Sequence, residues 1–270
     1  MLHGVLRCGQ DFALLFPALA AQWQVAAVDL GGHGGSSSRG GYRVIDYVDD
    51  VGAVLERWSQ PAVVYGHSLG AMLAIAVAAR YPRKVRAIVL EDPPLETLGS
   101  RLGETPFLAQ FLAMRELARQ YTTRETDGSR KPVDAATVAE LTARLADLPI
   151  AAPGQHTTER LGDLRDAASL RWSARCLMSV DPEVLTPLVE GRWLADYDTD
   201  RLLAAVECPA LILQADHTVG GMLLDHDAQR MVAGIKDSTL VRLRGVGHLV
   251  HWVEPAATLS YVSAFLSSLD

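Results

Sequence analysis

A short serine-containing turn, GHSLG at 66–70, constrains this chain more than any other feature. It stands between an apolar run at 61–65, which predicts a strand, and a run of small residues at 71–79, which predicts a helix. A serine at such a corner is held in a strained backbone conformation, with its hydroxyl beyond the end of the strand. We therefore predict a reactive hydroxyl at Ser68.

The two glycines that flank this serine have a steric role. In so tight a turn, a Cβ atom at Gly66 or Gly70 would collide with the neighbouring backbone. The helix that follows directs its unbonded N–H groups and the positive end of its dipole to the same place. We expect the turn to stabilise a negative charge that forms beside Ser68.

Apolar runs and helical patterns alternate along most of the chain. Strands are predicted at 22–30, 61–65, 85–90, 209–214 and 239–244. Because these runs are apolar on both faces, they indicate an α/β fold with a mostly parallel sheet flanked by helices. The chain has 270 residues, of which 49% are hydrophobic, and this suits one well-cored domain with an inserted subdomain.

Residues 93–205 interrupt the alternation of strands and helices. Helical patterns occur there at 107–121, 133–147, 158–178 and 182–196, with a loop at 126–132 and no convincing strand. We predict a core formed by 1–92 and 206–270, and a helical cap formed by 93–205. Such a cap would cover the carboxyl edge of the sheet, where α/β proteins bind ligands. The alternative is a helical insertion that only packs on the core and does not act as a cap over a ligand site.

The composition excludes several functional classes. The net charge of −7 arises from intermixed acidic and basic residues, so no basic stripe indicates nucleic acid. Three scattered cysteines indicate neither a disulfide framework nor a zinc site. No apolar run reaches membrane-spanning length, and the first residues do not resemble a signal peptide. We expect a cytoplasmic protein with a small-molecule substrate, and neither a nucleic-acid nor a membrane partner.

A hydroxyl is a poor nucleophile at neutral pH, so Ser68 needs a base. The best candidate is His248, because a glycine-containing turn after the last predicted strand would return its imidazole to the sheet edge. His251 competes for this role, but we expect it within or beside the following helix.

The base in turn needs an acid that orients it. Asp216 follows the fourth predicted strand and places the three groups in the chain order Ser, Asp, His. Asp92, which follows the third predicted strand, is the main alternative, and Asp225 and Asp227 are weaker ones. Asp216 and Asp92 could each instead only stabilise a turn.

An oxyanion needs two N–H donors. The backbone N–H of Leu69 is one candidate, and the N–H of Val5 is the other. Gly4 would let the backbone approach a ligand closely. We expect His3 and His33 to be structural and to bond nearby backbone.

Together these residues resemble the cap-bearing branch of the α/β-hydrolase superfamily. The resemblance covers nearly the whole chain and is carried, in this order, by His3-Gly4, residues 29–36, GHSLG at 66–70, Asp216 and Gly247-His248. It implies a Ser68, Asp216, His248 triad, an acyl-enzyme, and no metal or organic cofactor. The leading expectation is hydrolysis of an ester or a related acyl substrate.

The resemblance leaves other activities open, because one scaffold hosts many reactions. The alternatives are a C–C bond hydrolase of diketone-type ring-cleavage products, a cofactor-free perhydrolase, and a catalytically impaired or binding member. The substrate and the oligomeric state are not specified by the sequence.

The chain departs from the family pattern at three places. Gly31 stands where the family usually has an arginine, and Ala215 directly precedes Asp216 where Gly-x-x-Asp is usual. The third departure is the absence of three strands that usually precede the His-Gly pair. One such strand contributes about 8–18 kcal/mol of apolar burial, comparable to the whole stability of a domain. We expect the natural product to begin upstream of Met1, or the 270-residue chain to be poorly stable and nearly inactive.

Overall fold

A four-stranded parallel sheet organises the fold in a computed structural model that describes residues 1–125, 129–151 and 158–269. The strands are β1 (Ala62–His67), β2 (Val85–Glu91), β3 (Pro149–Ala151), β4 (Thr158–Arg160), β5 (Ala210–Ala215) and β6 (Ser238–Leu243). The main sheet has the order β1-β2-β5-β6, and β3 and β4 form a separate antiparallel pair.

Helices lie between and beside these strands. The α-helices are α1 (Phe16–Ala20), α2 (Val48–Glu56), α3 (Leu69–Arg80), α4 (Phe107–Tyr121), α5 (Ala135–Ala146), α6 (Leu161–Leu164), α7 (Ala167–Met178), α8 (Thr186–Val189), α9 (Thr199–Ala204), α10 (Asp225–Gly234), α11 (Val250–Val253) and α12 (Pro255–Ser267). Short 3-10 helices lie at Gly9–Phe12, Val44–Tyr47, Pro82–Lys84, Leu95–Thr97, Leu102–Glu104, Pro182–Leu185 and His217–Val219. Within the described ranges, no helix is both long enough and apolar enough to cross a bilayer.

The helix that follows the serine turn lies at the centre of the core. The residues of α3 from Leu69 to Ala78 are all buried, and the helix packs on β1 and β2. Its alanines let the helix approach the sheet closely, and Pro82 prevents its continuation after Tyr81. The first turn of α3 is therefore held rigidly against the end of β1.

Four of the five predicted strands are confirmed, as β1, β2, β5 and β6, and one prediction is wrong. The segment 22–30 is not a strand, and only Val28 in it forms a bridge, with Leu2. Leu2 also bridges to Gly66, so it lies between the two segments. Elsewhere the segment borders an open groove of about 620 Å³, whose other wall includes Ala62 and Val63. Among the described residues no strand lies beside its backbone there, so no ladder forms.

The segment between β2 and β5 is mainly helical, as expected, with α4, α5 and α7 packed together. The short β3–β4 pair is a correction, because no strand was predicted there. Strands of three residues are too short to show a period-2 pattern. Part of the predicted loop at 126–132, residues 126–128, lies outside the described residues.

Substitution of Gly70 by alanine tests the close packing of the serine turn. A Cβ at Gly70 would lie 2.0 Å from the Leu2 carbonyl oxygen, so the backbone must move. We expect Gly70→Ala to lower the free energy of unfolding by about 1–3 kcal/mol or more in urea titrations.

Gly40→Ala is the matched control for this prediction. A Cβ at Gly40 would meet no atom within 4 Å. We expect its stability to stay within about 1 kcal/mol of wild type. Equal losses in the two variants would contradict the packing argument.

Candidate active site

The backbone of Ser68 is strained at the junction of β1 and α3. Its φ is 54° and its ψ is −116°. A Cβ at Gly66 would lie 2.1 Å from the Gly70 carbonyl oxygen, and one at Gly70 would meet the carbonyl oxygen of Leu2. The steric role expected for both glycines is therefore confirmed, and the turn closes only when both positions lack a side chain.

Ser68 and His248 line the same cavity, which has a volume of about 90 Å³. Residues 4–7, which precede the first 3-10 helix and are called the first loop below, form part of its lining, as do apolar residues from the segment between β2 and β5. The lining residues are Gly4, Val5, Leu6, Arg7, His67, Ser68, Gln110, Phe111, Met114, Leu145, Arg165, Ser173, Leu177, Met222, His248 and Leu249.

A neighbouring histidine ties the serine turn to the loop of His248. The ring of His67 lies 4.7 Å from the ring of His248, centroid to centroid. His67 Nε2 is 3.0 Å from the backbone carbonyl oxygen of His248, which accepts its hydrogen bond. Burial lowers the pKa of His67 to about 3, so this ring is neutral. The two segments are thus in direct contact beside Ser68.

Asp92 holds the imidazole of His248. His248 Nδ1 donates to Asp92 Oδ2 over 2.6 Å, and the carboxylate is fully buried. The backbone N–H groups of Ala215, Met222 and Leu223 also donate to Asp92, over 2.8–3.1 Å. With the Nδ1 proton engaged, Nε2 of His248 is the nitrogen left to accept a proton in the cavity.

The expectation that Asp216 orients His248 is therefore corrected. The Asp216 carboxylate accepts hydrogen bonds from the N–H of Gly245 and from the N–H and hydroxyl of Thr218. These bonds, that of Gly245 first, lower the pKa of Asp216 to about 2. Asp216 thus stabilises the turn after β5, which was its structural alternative.

Neither of the other two alternatives forms a hydrogen bond with His248 in the described part of the chain. Asp225 accepts a hydrogen bond from Gln214 Nε2 over 2.8 Å. Asp227 is buried, and neither of its carboxylate oxygens has a hydrogen-bond partner among the described residues. Of the four aspartates considered, Asp92 is the one that the structure brings to His248.

The first loop carries the proposed oxyanion donor Val5. His3 fixes this loop, because its Nε2 accepts from the N–H of Leu30 over 3.0 Å and its Nδ1 donates to the carbonyl oxygen of Gly4 over 2.8 Å. A Cβ at Gly4 would lie 3.1 Å from Cβ of Ser68, so the loop approaches the serine closely. The structural role expected for His3 is confirmed.

Both candidate oxyanion donors lie near this turn. Val5 lines the cavity, and Leu69 is the first residue of α3, whose N–H has no acceptor within the helix. In the described part of the chain, neither N–H donates to another backbone group. His33, the other histidine expected to be structural, has Nδ1 bonded to the Gly31 carbonyl oxygen over 3.0 Å.

A second buried network, which the sequence did not indicate, lies behind the site. His251 Nδ1 donates to Glu91 over 2.8 Å, and its Nε2 is 3.2 Å from Asp11. Burial opposes the charged imidazolium, but the charge of Glu91 and the contacts with Asp11 raise the pKa of His251 to about 9. In return, the imidazolium overcomes the effect of burial and lowers the pKa of Glu91 to about 2. His251 is thus a buried cation, and neither ring nitrogen is available as a base.

The same network contains the one close group of metal-ligand types found among the described residues. Atoms of His67, Glu91 and His251 lie within 4.8 Å of one another. A protonated imidazole has no lone pair with which to bind a metal, and both nitrogens of His251 already donate to carboxylates. The group is an ion-pair network and not a set of free ligands.

The sequence as a whole matches a known family. The sequence profile of the alpha/beta hydrolase fold family matches residues 1–255. The chain belongs to this family, and it is a hydrolytic enzyme.

Named relatives agree with this assignment. The chain is 32% identical to the lipase LipV of Mycobacterium tuberculosis over 242 residues, which cover 87% of each chain. It is 25% identical to a 3-hydroxybutyrate-oligomer hydrolase of Cupriavidus necator, over 94% of this chain and 83% of that protein. A solved structure, E-2-(acetamidomethylene)succinate hydrolase, shares the fold with a TM-score of 0.69 and 21% identity, over 98% of this chain and 90% of that one.

The buried imidazolium of His251 predicts a pH-dependent contribution to stability. Its pKa is about 9 in the folded chain and about 6.5 when unfolded, so its contribution is complete below pH 6.5 and disappears as the pH rises through 9. We expect the stability difference between wild type and His251→Gln to shrink by up to about 3 kcal/mol over this range. Urea titrations at several pH values measure it, and a constant difference would contradict the assignment.

Proposed function

We propose that this protein is a serine hydrolase of esters or related acyl substrates, with Ser68 as the nucleophile, His248 as the base and Asp92 as the orienting acid. The observation that carries the proposal is the 2.6 Å hydrogen bond between His248 and Asp92 at a cavity that Ser68 also lines. The strained turn at Ser68 supports the same assignment. The lipase and the oligomer hydrolase among the relatives support an ester as the substrate.

The proposed reaction has two stages. His248 Nε2 takes the Ser68 hydroxyl proton while Oγ attacks the acyl carbon, and Asp92 stabilises the resulting imidazolium. His248 then gives the proton to the leaving alcohol, and an acyl-enzyme remains. A water molecule attacks this ester with His248 again as the base, which releases the acid and restores Ser68.

The negative oxygen of each tetrahedral intermediate requires donors that are already in place. The N–H groups of Val5 and Leu69 serve as these donors in the proposal, with His3 holding the Val5 loop. Removal of one such donor typically lowers the rate by about 10²–10³-fold. The N-terminal end of α3 adds a favourable dipole at the same place.

Residues 93–205 form the cap in this proposal, and the core comprises 1–92 and 206–270. The support for a cap is that Phe111, Met114 and Leu177 line the cavity opposite the first loop. In this role the cap excludes water from the reacting ester and provides an apolar surface for its hydrocarbon part.

A pair of asparagine variants tests the choice of acid. Asp92→Asn removes the carboxylate that fixes the His248 tautomer, and we expect kcat for p-nitrophenyl acetate to fall by about 10³–10⁴-fold. Asp216→Asn is the matched control, and its kcat should stay within about threefold of wild type. Circular dichroism confirms that both variants are folded. A larger loss of kcat in Asp216→Asn than in Asp92→Asn would instead assign the acid role to Asp216.

A fluorophosphonate probe tests the nucleophile. We expect wild type to take up one equivalent of the probe at Ser68, and Ser68→Ala to take up none, as measured by intact mass. Ser36→Ala, which changes a serine on a different loop, should label as wild type does. Folded wild-type protein that takes up no probe would instead support a binding protein that retains a hydrolase cavity.

A further inference from the structure

One charged side chain in the wall of the active-site cavity has no protein partner. Arg165 lies in the two-residue link between α6 and α7 and lines the cavity together with Ser68 and His248. Among the residues that the structure describes, its guanidinium donates to no acceptor and forms no ion pair. A guanidinium has five N–H donors, and none of the Arg165 nitrogens is among the fully buried polar atoms of the described residues that lack a partner, so they are accessible to a ligand or to water.

The buried carboxylate of Asp11, whose charge acts on Arg165, already accepts hydrogen bonds from other donors. Asp11 Oδ1 accepts from Arg7 Nε over 2.8 Å, from Trp172 over 3.0 Å and from Trp252 over 2.8 Å. Asp11 Oδ2 is taken by His251. Both carboxylate oxygens of Asp11 are therefore already bonded, and the N–H groups of Arg165 receive no acceptor from it.

The positive charge of Arg165 persists at neutral pH. Burial, and next the nearby charge of Arg7, lower the pKa of Arg165 to about 10. The group is thus still protonated at pH 7, and it would gain from an anion placed beside it. The cavity lining also contains Arg7, whose guanidinium is already bonded to Asp11 and Ser173, and the uncharged side chain of Gln110.

We propose that Arg165 binds a carboxylate of the substrate, so that the preferred ester also carries a free carboxylate group. This inference rests on the proposed function, because it concerns the same cavity. Arginine pairs with a carboxylate through two parallel hydrogen bonds, and such pairs give geometric specificity. The cavity volume of about 90 Å³ indicates a short substrate, with its hydrocarbon part against Phe111 and Met114.

Two short esters of matched size test this inference. Monomethyl succinate carries a carboxylate, and methyl 4-oxopentanoate replaces that group with a neutral methyl ketone. We expect wild type to favour the charged ester by at least about 10-fold in kcat/KM. Arg165→Gln should lower kcat/KM for the charged ester by about 10–100-fold and leave the neutral ester within about threefold.

Two further variants distinguish the effect of the Arg165 charge from that of its paired hydrogen bonds, and both from a general loss of activity. Arg165→Lys keeps the charge but loses the paired hydrogen bonds, so it should retain part of the preference. Arg171→Gln changes an exposed arginine on α7, outside the cavity lining, and should keep the wild-type preference. Equal kcat/KM values for the two esters in wild type, or equal losses in Arg165→Gln, would overturn the inference.

Direct binding distinguishes a failure of this inference from a failure of the proposed function. Calorimetry with Ser68→Ala should show that monomethyl succinate binds more tightly than methyl 4-oxopentanoate, and the added Arg165→Gln change should abolish the difference. Binding that depends on Arg165 in a wild-type protein without esterase activity would support the anion site and refute the hydrolase. Hydrolysis that depends on Ser68, with no binding preference, would refute the anion site alone.

Discussion

The buried hydrogen bond between His248 and Asp92 joins the parts of the chain that the site requires. Asp92 follows β2, His248 lies in the loop after β6, and the N–H groups that also donate to Asp92 come from the end of β5 and the turn beyond it. A fully buried carboxylate without these donors would be strongly unfavourable. The same bonds that satisfy its charge therefore hold the carboxyl ends of three strands in one arrangement.

Glu91, the residue before Asp92, holds a second buried histidine in a similar way. Glu91 binds His251, as Asp92 binds His248, so two adjacent acids hold two histidines that are three residues apart. His251 also reaches Asp11 in the first 3-10 helix, and Asp11 binds Arg7 in the cavity lining. The charged groups behind the site are thus paired with one another. Arg165 has no acceptor among the described residues of this network, and it is the group that we propose for a substrate carboxylate.

Local patterns were sufficient to predict most of the fold. The apolar runs that became β1, β2, β5 and β6 pair with neighbours along their length, and the small residues after Ser68 do form a helix. The prediction fails at 22–30, because an apolar run becomes a strand only where another backbone lies beside it. It also misses β3 and β4, whose three-residue length leaves no periodic signal.

Local sequence is enough to predict the serine turn and to place His248 beside it. Glycine at 66 and 70 allows the tight corner, and a glycine-containing loop after the last strand returns the histidine to it. Which acid meets that histidine depends instead on contacts between distant parts of the fold. Both Asp92 and Asp216 follow strands, and the direction of each side chain depends on strand order and on the donors around it. Such donors come from residues far apart in the chain, so no local pattern could reveal them.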